Sequence, residues 1–451
     1  MRKYFGTDGI RRIANTELTP DLVFRVAKAG AYVLSKHTDH TPTILIGRDT
    51  RISGTLIESA MTSGFLSYGA NVKLLGVMPT PAVAYLTKKF NADASVVISA
   101  SHNTFEFNGV KYFSNKGMKI SDEIEEEIEE IMDSEKLSTL TAVGENIGIY
   151  EIEEKYEDEY VNFFKDTFKD TFKGSKFKVA IDVANGATYK VADRIFKELG
   201  IDYTIICNNP DGININEKCG STYLDNISKY VVENGYDLGI AYDGDGDRCL
   251  AVDENGNPLD GDIIMAVISK MLKKENKLKN DTVVATVMSN LGLNKYSENN
   301  NLGLIQTKVG DRYVLEEMLK NDYNFGGEQS GHVIMLDYNP TGDGILTSLM
   351  FIKAILEENK KVSEAKRIIN IYPQVLINAK VSSDKKYDYE KDEEIQKEIK
   401  LLEEEFSGNG RVLIRPSGTE PKVRVMIEGS DKDYITQKAQ NLADLIESKL
   451  K

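Results

Sequence analysis

Cysteine is scarce in this sequence, and its scarcity excludes one class of protein at the outset. The 451 residues include only Cys207, Cys219 and Cys249. An odd number of cysteines without metal-site spacing implies neither a framework of disulfide bonds nor a zinc site. The small secreted proteins that depend on disulfide bonds are therefore excluded.

Long apolar runs are absent as well. A membrane-spanning helix needs about 20 consecutive apolar residues, and no segment of the sequence approaches that length. Residues 1–6 (MRKYFG) lack the apolar core of a signal peptide. We therefore expect a cytoplasmic protein without a membrane partner.

The third missing feature is an excess of positive charge. The chain has 56 lysine and arginine residues against 71 aspartate and glutamate residues, for a net charge of −15. Nucleic acids and anionic membranes repel such a protein, so we expect a small-molecule ligand and no nucleic-acid partner. If that ligand is an anion, arginine and lysine side chains must cluster around it. We expect a monomer or a homodimer.

The order of the predicted elements is typical of an α/β protein. Apolar runs at 43–46, 71–75 and 94–98 read as strands, and helical patterns at 54–68 and 81–90 separate them. Similar alternation continues until two strands and a helix close the chain. The sequence predicts three consecutive α/β/α-layered domains with mixed sheets plus a C-terminal α+β domain, arranged around a central cleft. The predicted boundaries are 1–150, 151–255, 256–368 and 369–451.

Two acidic segments lie near the first of these boundaries. Residues 122–132 (DEIEEEIEEIM) place isoleucines on one helix face, and we expect the glutamates to form a solvated face. Residues 151–160 are expected to form a helix that connects the first two domains.

A hydroxyl-rich turn follows the predicted strand at 94–98. It contains Ser99, Ser101, His102 and Asn103, and ligand sites of open α/β sheets lie at the carboxyl ends of strands. A serine in such a turn can be a nucleophile or a phosphoryl carrier. The alternative is that these side chains only satisfy backbone groups of the turn.

Three carboxylates crowd the loop after another predicted strand. Asp243, Asp245 and Asp247 alternate with glycines, and a bound cation would relieve their mutual repulsion. An oxygen-only ligand set favours Mg²⁺ or another hard cation. A calcium-binding EF-hand is disfavoured because Arg248 occupies the position that requires glycine. A solvated acidic turn is the remaining alternative.

Another turn, between two predicted strands, is suited to binding an anion. Arg415 supplies a planar guanidinium, Ser417 and Thr419 supply hydroxyls, and Gly418 exposes backbone N–H groups. Together with a site near Ser101, it would suit a substrate that carries phosphate at each end.

In their order along the chain these loops resemble those of the α-D-phosphohexomutase superfamily, and most closely the branch that acts on amino sugars. The resemblance spans the whole chain. The motifs that carry it are residues 6–11 (GTDGIR), 98–103 (ISASHN), 243–248 (DGDGDR), 327–332 (GEQSGH) and 415–420 (RPSGTE). The runs 307–312 (TKVGDR) and 339–344 (NPTGDG) also look like the amino-sugar branch. The sequence departs from the family pattern at Arg12, Thr104 and Tyr223.

The resemblance implies a role for each site residue. The implied catalytic residues are Ser101 as the phosphoserine, Lys111 as a candidate proton-transfer group, Arg11, His102 and His332. The implied ligands of one Mg²⁺ ion are Ser101, Asp243, Asp245 and Asp247. The implied substrate-binding residues are Arg248, Glu328 and Ser330 around the sugar, and Arg415, Ser417, Gly418 and Thr419 at the non-reacting phosphate.

The activity implied by the resemblance is the interconversion of glucosamine 6-phosphate and glucosamine 1-phosphate. Glucosamine 1,6-bisphosphate would be the intermediate, and the product would feed UDP-N-acetylglucosamine synthesis. A phosphomannomutase or phosphoglucomutase of the same superfamily is one alternative. A non-catalytic protein that binds sugar phosphates is the other.

Overall fold

The computed structural model describes residues 3–6, 8–152, 155–417 and 420–451. The chain divides into two compact units. The first consists of Met1–Val287 and Gly303–Arg367, and the second of Met288–Leu302 and Ile368–Lys451.

Strands occur in both units. In chain order they are β1 (Ile10–Ile13), β2 (Thr43–Arg48), β3 (Asn71–Val77), β4 (Ala94–Ile98), β5 (Phe107–Ser114), β6 (Tyr150–Ile152), β7 (Lys178–Asp182), β8 (Asp202–Ile206), β9 (Leu238–Tyr242), β10 (Cys249–Asp253), β11 (Pro258–Leu259), β12 (Thr282–Thr286), β13 (Gly303–Thr307), β14 (Phe325–Gly327), β15 (Val333–Met335), β16 (Asn339–Gly342), β17 (Gln374–Lys380), β18 (Arg411–Pro416) and β19 (Lys422–Glu428).

Helices follow or separate most of the strands. In chain order they are α1 (Pro20–Ser35), α2 (Gly54–Tyr68), α3 (Thr80–Lys89), α4 (Asp122–Met132), α5 (Lys136–Thr139), α6 (Lys155–Thr167), α7 (Val191–Glu198), α8 (Asp225–Asn234), α9 (Gly261–Lys274), α10 (Leu291–Asn299), α11 (Asp311–Lys320), α12 (Gly344–Glu358), α13 (Val362–Ala365), α14 (Glu393–Phe406) and α15 (Lys432–Leu450). None of the helices in the described residues has the length and apolar character needed to span a bilayer.

The described residues of the first unit form three mixed sheets, which confirms the predicted α/β fold class. Their strand orders are β1-β5-β4-β2-β3-β6, β11-β10-β9-β7-β8 and β13-β12-β14-β15-β16. In the first sheet β2 pairs in parallel with β3 and β4, whereas β5 pairs antiparallel with β1 and β4. Parallel strands are connected by crossovers that usually contain a helix. These helices cover both faces of the sheet, so the central strands are apolar and buried on both sides. All five residues of β4 are buried.

The start of α1 shows how local sequence fixes an element. Thr19 precedes the helix, its Oγ1 accepts a hydrogen bond from Leu22 N at 3.2 Å, and Pro20 occupies the first helical turn. An N-cap hydroxyl and an early proline are the signals that predict this boundary. The apolar face of α1 then packs with α2 in the core over the first sheet, where Val26 and Phe65 are fully buried.

The second unit is smaller and has the predicted α+β character. Its sheet has the order β17-β19-β18 with antiparallel pairs. Helices α14 and α15 bury Leu402, Leu442 and Ile446 in a core with Val425 of β19. Helix α10, although distant in sequence, belongs to this unit, where Asn290 at its N-terminus receives a hydrogen bond from Tyr372 N.

The two predictions about acidic segments are each correct only in part. The helix expected at 151–160 begins only at Lys155, because residues up to Ile152 form β6, which pairs in parallel with β3. The glutamates of α4 are not all solvated, since Glu125 and Glu129 are buried. Glu129 accepts hydrogen bonds from backbone N–H groups at the start of the chain, which composition alone does not reveal.

Candidate functional site

The serine loop (residues 99–103) leaves the carboxyl end of β4 with Ser101 in a left-handed backbone conformation. Its φ is 49°, which is uncommon for a residue other than glycine. Ser101 N donates to Ser99 Oγ at 2.9 Å. Ser101 Oγ donates to Asp243 Oδ2 at 2.6 Å, although 142 positions separate the two residues. The predicted carrier hydroxyl therefore lies against the predicted metal loop.

A fully buried arginine holds the serine loop in shape. Arg51 is 1% exposed, and its Nε donates to Asp49 Oδ2 at 2.8 Å. Its Nη2 donates to the carbonyl oxygens of Ser101 and Asn103, each at 2.9 Å, and its Nη1 donates to that of Thr104 at 2.5 Å. A guanidinium with several fixed donors suits this task better than an ammonium group.

The aspartate loop (residues 243–247) connects the antiparallel strands β9 and β10. Gly244 is required by close packing, because a Cβ there would lie 2.6 Å from the carbonyl oxygen of Ser101. Gly246 is required by conformation, since its φ is 72°. These two glycines let three carboxylates turn into one small volume.

The three carboxylates of the aspartate loop are able to hold a metal ion. One oxygen from each of Asp243, Asp245 and Asp247 lies within 4.8 Å of the others, and all three residues are buried. Asp245 Oδ1 and Asp247 Oδ1 are buried without a hydrogen-bond partner. Burial and the two neighbouring carboxylates raise the pKa of Asp243 well above its usual value. Buried carboxylate oxygens without hydrogen-bond partners are suitable ligands for a hard divalent cation.

Lys111 is a buried cation that contacts this loop. Its Nζ lies 3.0 Å from Asp245 Oδ2, 3.1 Å from Asp8 Oδ2 and 3.7 Å from Asp247 Oδ2. Burial by itself lowers the pKa of Lys111, but these carboxylates more than offset it and raise the pKa above its ordinary value. Lys111 therefore carries a positive charge among these carboxylates near pH 7.

Arg11 contacts the serine loop, and His102 is part of it. Arg11 Nη1 donates to Asn103 Oδ1 at 3.1 Å, and its Nη2 pairs with Asp8 at 2.9 Å. His102 Nδ1 is 3.3 Å from Ser101 Oγ. Burial, with Arg248 and Arg11 nearby, lowers the pKa of His102 to about 4, so the imidazole is neutral near pH 7.

The 327–332 loop contributes a second group of side chains. His332 is buried, its Nε2 lies 3.5 Å from Asp311 Oδ2 and 4.0 Å from Asp247 Oδ2, and neither ring nitrogen has a hydrogen-bond partner. Ser330 Oγ is buried and also lacks one. Burial raises the pKa of Glu328, whose Oε1 accepts from Gly310 N at 3.2 Å. Buried polar groups without hydrogen-bond partners are suited to binding a polar ligand.

Arg248 joins the two groups. Its backbone N donates to Asp243 Oδ1 at 3.1 Å, and its backbone pairs with that of His332. The structure thus brings together the catalytic, metal-binding and sugar-binding residues that were predicted in the first unit. Gln329, in the same 327–332 loop, donates its Nε2 to Asp260 Oδ2 at 3.2 Å and so stabilises the start of α9.

The predicted phosphate loop belongs to the second unit. Ser417 is buried, its N donates to Lys422 O at 2.8 Å, and Lys386 Nζ donates to Ser417 O at 2.6 Å. Arg415 lies opposite Arg424 in the β18–β19 pair, and its Nε is buried without a partner. Burial, with Arg424 adding to it, lowers the pKa of Arg415. Gly418 and Thr419 lie outside the described residues.

Three ionic side chains at the site were missed by sequence reasoning. Lys119 Nζ bridges Asp8 Oδ1 and Asp311 Oδ2, each at 2.5 Å. Asp8 and Asp311 lie inside the runs 6–11 and 307–312, whose resemblance to the family could have pointed to them. Lys119 lies outside any motif of the sequence, so no comparable signal marks it.

Family models match most of the chain. They are described as phosphoglucomutase/phosphomannomutase alpha/beta/alpha domains I, II and III and the C-terminal domain. They match residues 2–139, 158–256, 260–372 and 376–445, respectively.

Curated relatives match over the full length. The chain is 54% identical over 449 residues to a phosphoglucosamine mutase of Clostridium acetobutylicum and 55% identical over 453 residues to one of Acetivibrio thermocellus, with 100% of each chain covered. Its fold is similar to that of Aspergillus fumigatus N-acetylphosphoglucosamine mutase, crystallised in complex with GlcNAc-6P and magnesium. That match has a TM-score of 0.66 and 19% identity, and covers 99% of this chain and 96% of the other.

Proposed function

The chain belongs to the phosphoglucomutase/phosphomannomutase family, and from this we propose that it interconverts glucosamine 6-phosphate and glucosamine 1-phosphate, a step that would feed UDP-N-acetylglucosamine synthesis. The full-length relatives that support this substrate are named phosphoglucosamine mutase. The observation that carries the chemistry is the 2.6 Å hydrogen bond from Ser101 Oγ to Asp243. It joins a potential phosphoryl carrier to a cluster of carboxylates with unsatisfied oxygens.

In the proposed reaction Ser101 carries a phosphoryl group. The P–Oγ bond of phosphoserine breaks as a new P–O bond forms to the 1-hydroxyl of glucosamine 6-phosphate, and the hydroxyl proton is transferred to the released Ser101 Oγ. The resulting glucosamine 1,6-bisphosphate reorients, its P–O6 bond breaks as the 6-phosphoryl group transfers to Ser101 Oγ, and the serine proton passes to the 6-oxygen. The products are glucosamine 1-phosphate and a restored phosphoserine, so phosphoryl groups balance over the cycle.

One Mg²⁺ ion would be held by Ser101 and by Asp243, Asp245 and Asp247. The partnerless buried oxygens of Asp245 and Asp247 support this assignment. When bound, the ion would offset the negative charge of the transferring phosphoryl group. Lys111 and Arg248 add positive charge beside the same carboxylates, and Arg11 adds it beside the neighbouring Asp8.

The other residues divide between proton transfer and recognition. We assign proton transfer to Lys111, with His102 and His332 lining the same centre. Glu328 and Ser330 would bind the sugar, and a buried carboxylate at 328 would favour an ammonium group at C2 over a hydroxyl. Arg415, Ser417, Gly418 and Thr419 would bind the phosphate that does not react. A cytoplasmic monomer or homodimer, with domain boundaries at 150, 255 and 368, stays our prediction.

Coupled assays with a panel of hexose phosphates test this proposal. We expect kcat/KM for glucosamine 6-phosphate to exceed that for glucose or mannose 6-phosphate by at least about tenfold, or about 1.4 kcal/mol. Intact-mass analysis of the purified protein should show one added phosphoryl group, and the site should map to Ser101.

Two outcomes would contradict the proposal at different levels. Equal or faster turnover of mannose phosphates would leave the mutase chemistry standing but reject the amino-sugar substrate. Absence of both phosphoserine and turnover, after priming with glucosamine 1,6-bisphosphate, would favour the non-catalytic alternative.

A further inference from the structure

A second cluster of potential metal ligands lies in the first unit, apart from the aspartate loop. Asp182 is the last residue of β7, Cys207 directly follows β8, and Cys219 lies in the segment before α8. One carboxylate oxygen and the two sulfur atoms lie within 4.8 Å of one another. Three elements distant in sequence therefore converge on one volume.

The carboxylate of this cluster is incompletely satisfied. Asp182 is 0% exposed, and its Oδ1 accepts a hydrogen bond from Ala184 N at 2.9 Å. Its Oδ2 is buried without a hydrogen-bond partner. Burial raises the pKa of Asp182 to about 6, although the backbone N–H groups of Gly220 and Ala184 and the nearby Cys207 thiol oppose the rise. A cation beside Oδ2 would remove this cost.

The two sulfur atoms complete a ligand set with a distinct preference. Cys219 is buried, whereas Cys207 is partly exposed and offers a route from solvent. Thiolates select soft and borderline metals, and Zn²⁺ commonly takes Cys and Asp ligands in a tetrahedral site. We propose that Asp182, Cys207 and Cys219 bind a thiophilic divalent cation of the Zn²⁺ type, with water in the fourth position. The two thiols lose their protons on binding.

The cluster is connected to the serine loop through short contacts. Asn216, three residues before Cys219, donates its Nδ2 to the carbonyl oxygens of Ser101 and Asn103, each at 2.9 Å. Asn216 N in turn donates to Ala184 O at 3.0 Å, two residues after Asp182. A cation that fixes Asp182 and Cys219 would therefore also stiffen the segment that holds the serine loop.

Cobalt provides a direct readout, because thiolate ligation to Co²⁺ gives a near-ultraviolet charge-transfer band that oxygen ligands do not give. The full chain is reduced, freed of metal, saturated with Mg²⁺ to occupy oxygen sites, and titrated with Co²⁺. We expect one equivalent to bind with a thiolate band, and Zn²⁺ to abolish the band by displacing cobalt. Asp182→Asn should weaken Co²⁺ binding at least about tenfold.

The third cysteine provides the matched control. Cys249 is buried in β10 and lies outside the cluster. Cys207→Ser and Cys219→Ser should remove the band, whereas Cys249→Ser should keep it. A wild-type protein without a band, or a band that survives both of the first two substitutions, would overturn the proposal.

A measurement on the wild-type protein avoids any effect of substitution on folding. Zn²⁺ should protect Cys207 from alkylation by iodoacetamide, as read by intact and peptide mass, in the presence of saturating Mg²⁺. Alkylation of Cys207 at the same rate with and without Zn²⁺ would also overturn the proposal.

Discussion

The aspartate loop and helix α4 are both dense in carboxylates, but their surroundings differ. In the loop, Asp245 and Asp247 each keep a buried oxygen without a partner. In the helix, Glu129 Oε1 accepts from Tyr4 N at 2.6 Å and from Phe5 N at 2.7 Å, and Oε2 accepts from Lys3 N at 2.6 Å. Buried carboxylates whose two oxygens both accept hydrogen bonds stabilise a fold, whereas those with an unpartnered oxygen are available to a ligand.

The largest effect should come from the hydroxyl that contacts the loop. Ser101→Ala should lower mutase turnover at least about a thousandfold, because the covalent carrier is lost. Turnover is measured with added glucosamine 1,6-bisphosphate. Ser95→Ala is the matched control, because Ser95 is a buried hydroxyl on the preceding strand whose Oγ contacts Thr87 instead. Near-native activity of Ser101→Ala would remove the carrier assignment.

A carboxylate of the loop should matter next. Asp245→Asn should slow turnover about a hundredfold and raise the Mg²⁺ concentration needed for half-maximal activity, because one charged ligand becomes neutral. Asp237→Asn controls for the substitution itself, since Asp237 precedes the same strand and accepts a hydrogen bond from Lys178 N. Full activity of the wild-type protein in excess chelator would contradict the metal role.

The helix should show the opposite pattern, with stability changed and catalysis preserved. Glu129→Gln should lower the free energy of unfolding by about 2 kcal/mol, because an amide NH₂ must face one of the backbone N–H donors. Urea denaturation measures the loss. Glu126→Gln, on the exposed face of α4, should change stability by less than about 0.5 kcal/mol. Equal effects of the two substitutions would mean that the buried contacts of Glu129 contribute nothing.

The smallest effect should be the change in stability when one carboxylate of the aspartate loop is neutralised in the metal-free protein. Asp247→Asn should leave the metal-free protein as stable as wild type or more stable by up to about 1 kcal/mol, because it relieves repulsion among three buried carboxylates. Urea denaturation in chelator provides the measurement. A loss of unfolding free energy as large as that of Glu129→Gln would mean that the carboxylates of the aspartate loop stabilise the fold as those of α4 do.

Much of this arrangement could be predicted from the sequence. Ser101 and the three aspartates lie at the ends of apolar strands, and such positions collect at one edge of a sheet. Their loops also carry family motifs. The contact between Lys119 and Asp311 could not be predicted, because it joins separate elements through single side chains. The burial of Glu129 could not be predicted either, because its hydrogen-bond partners are backbone N–H groups, which are present in every sequence.

The buried guanidinium of Arg51 has a consequence for the energetics of turnover. Its bonds to the carbonyl oxygens of Ser101, Asn103 and Thr104 fix the backbone around the carrier as the chain folds. The conformational entropy of that loop is therefore lost once, during folding, and not again in each catalytic cycle. In the proposed reaction the sugar must turn between two phosphoryl transfers, and the carrier can remain the stationary reference point for both.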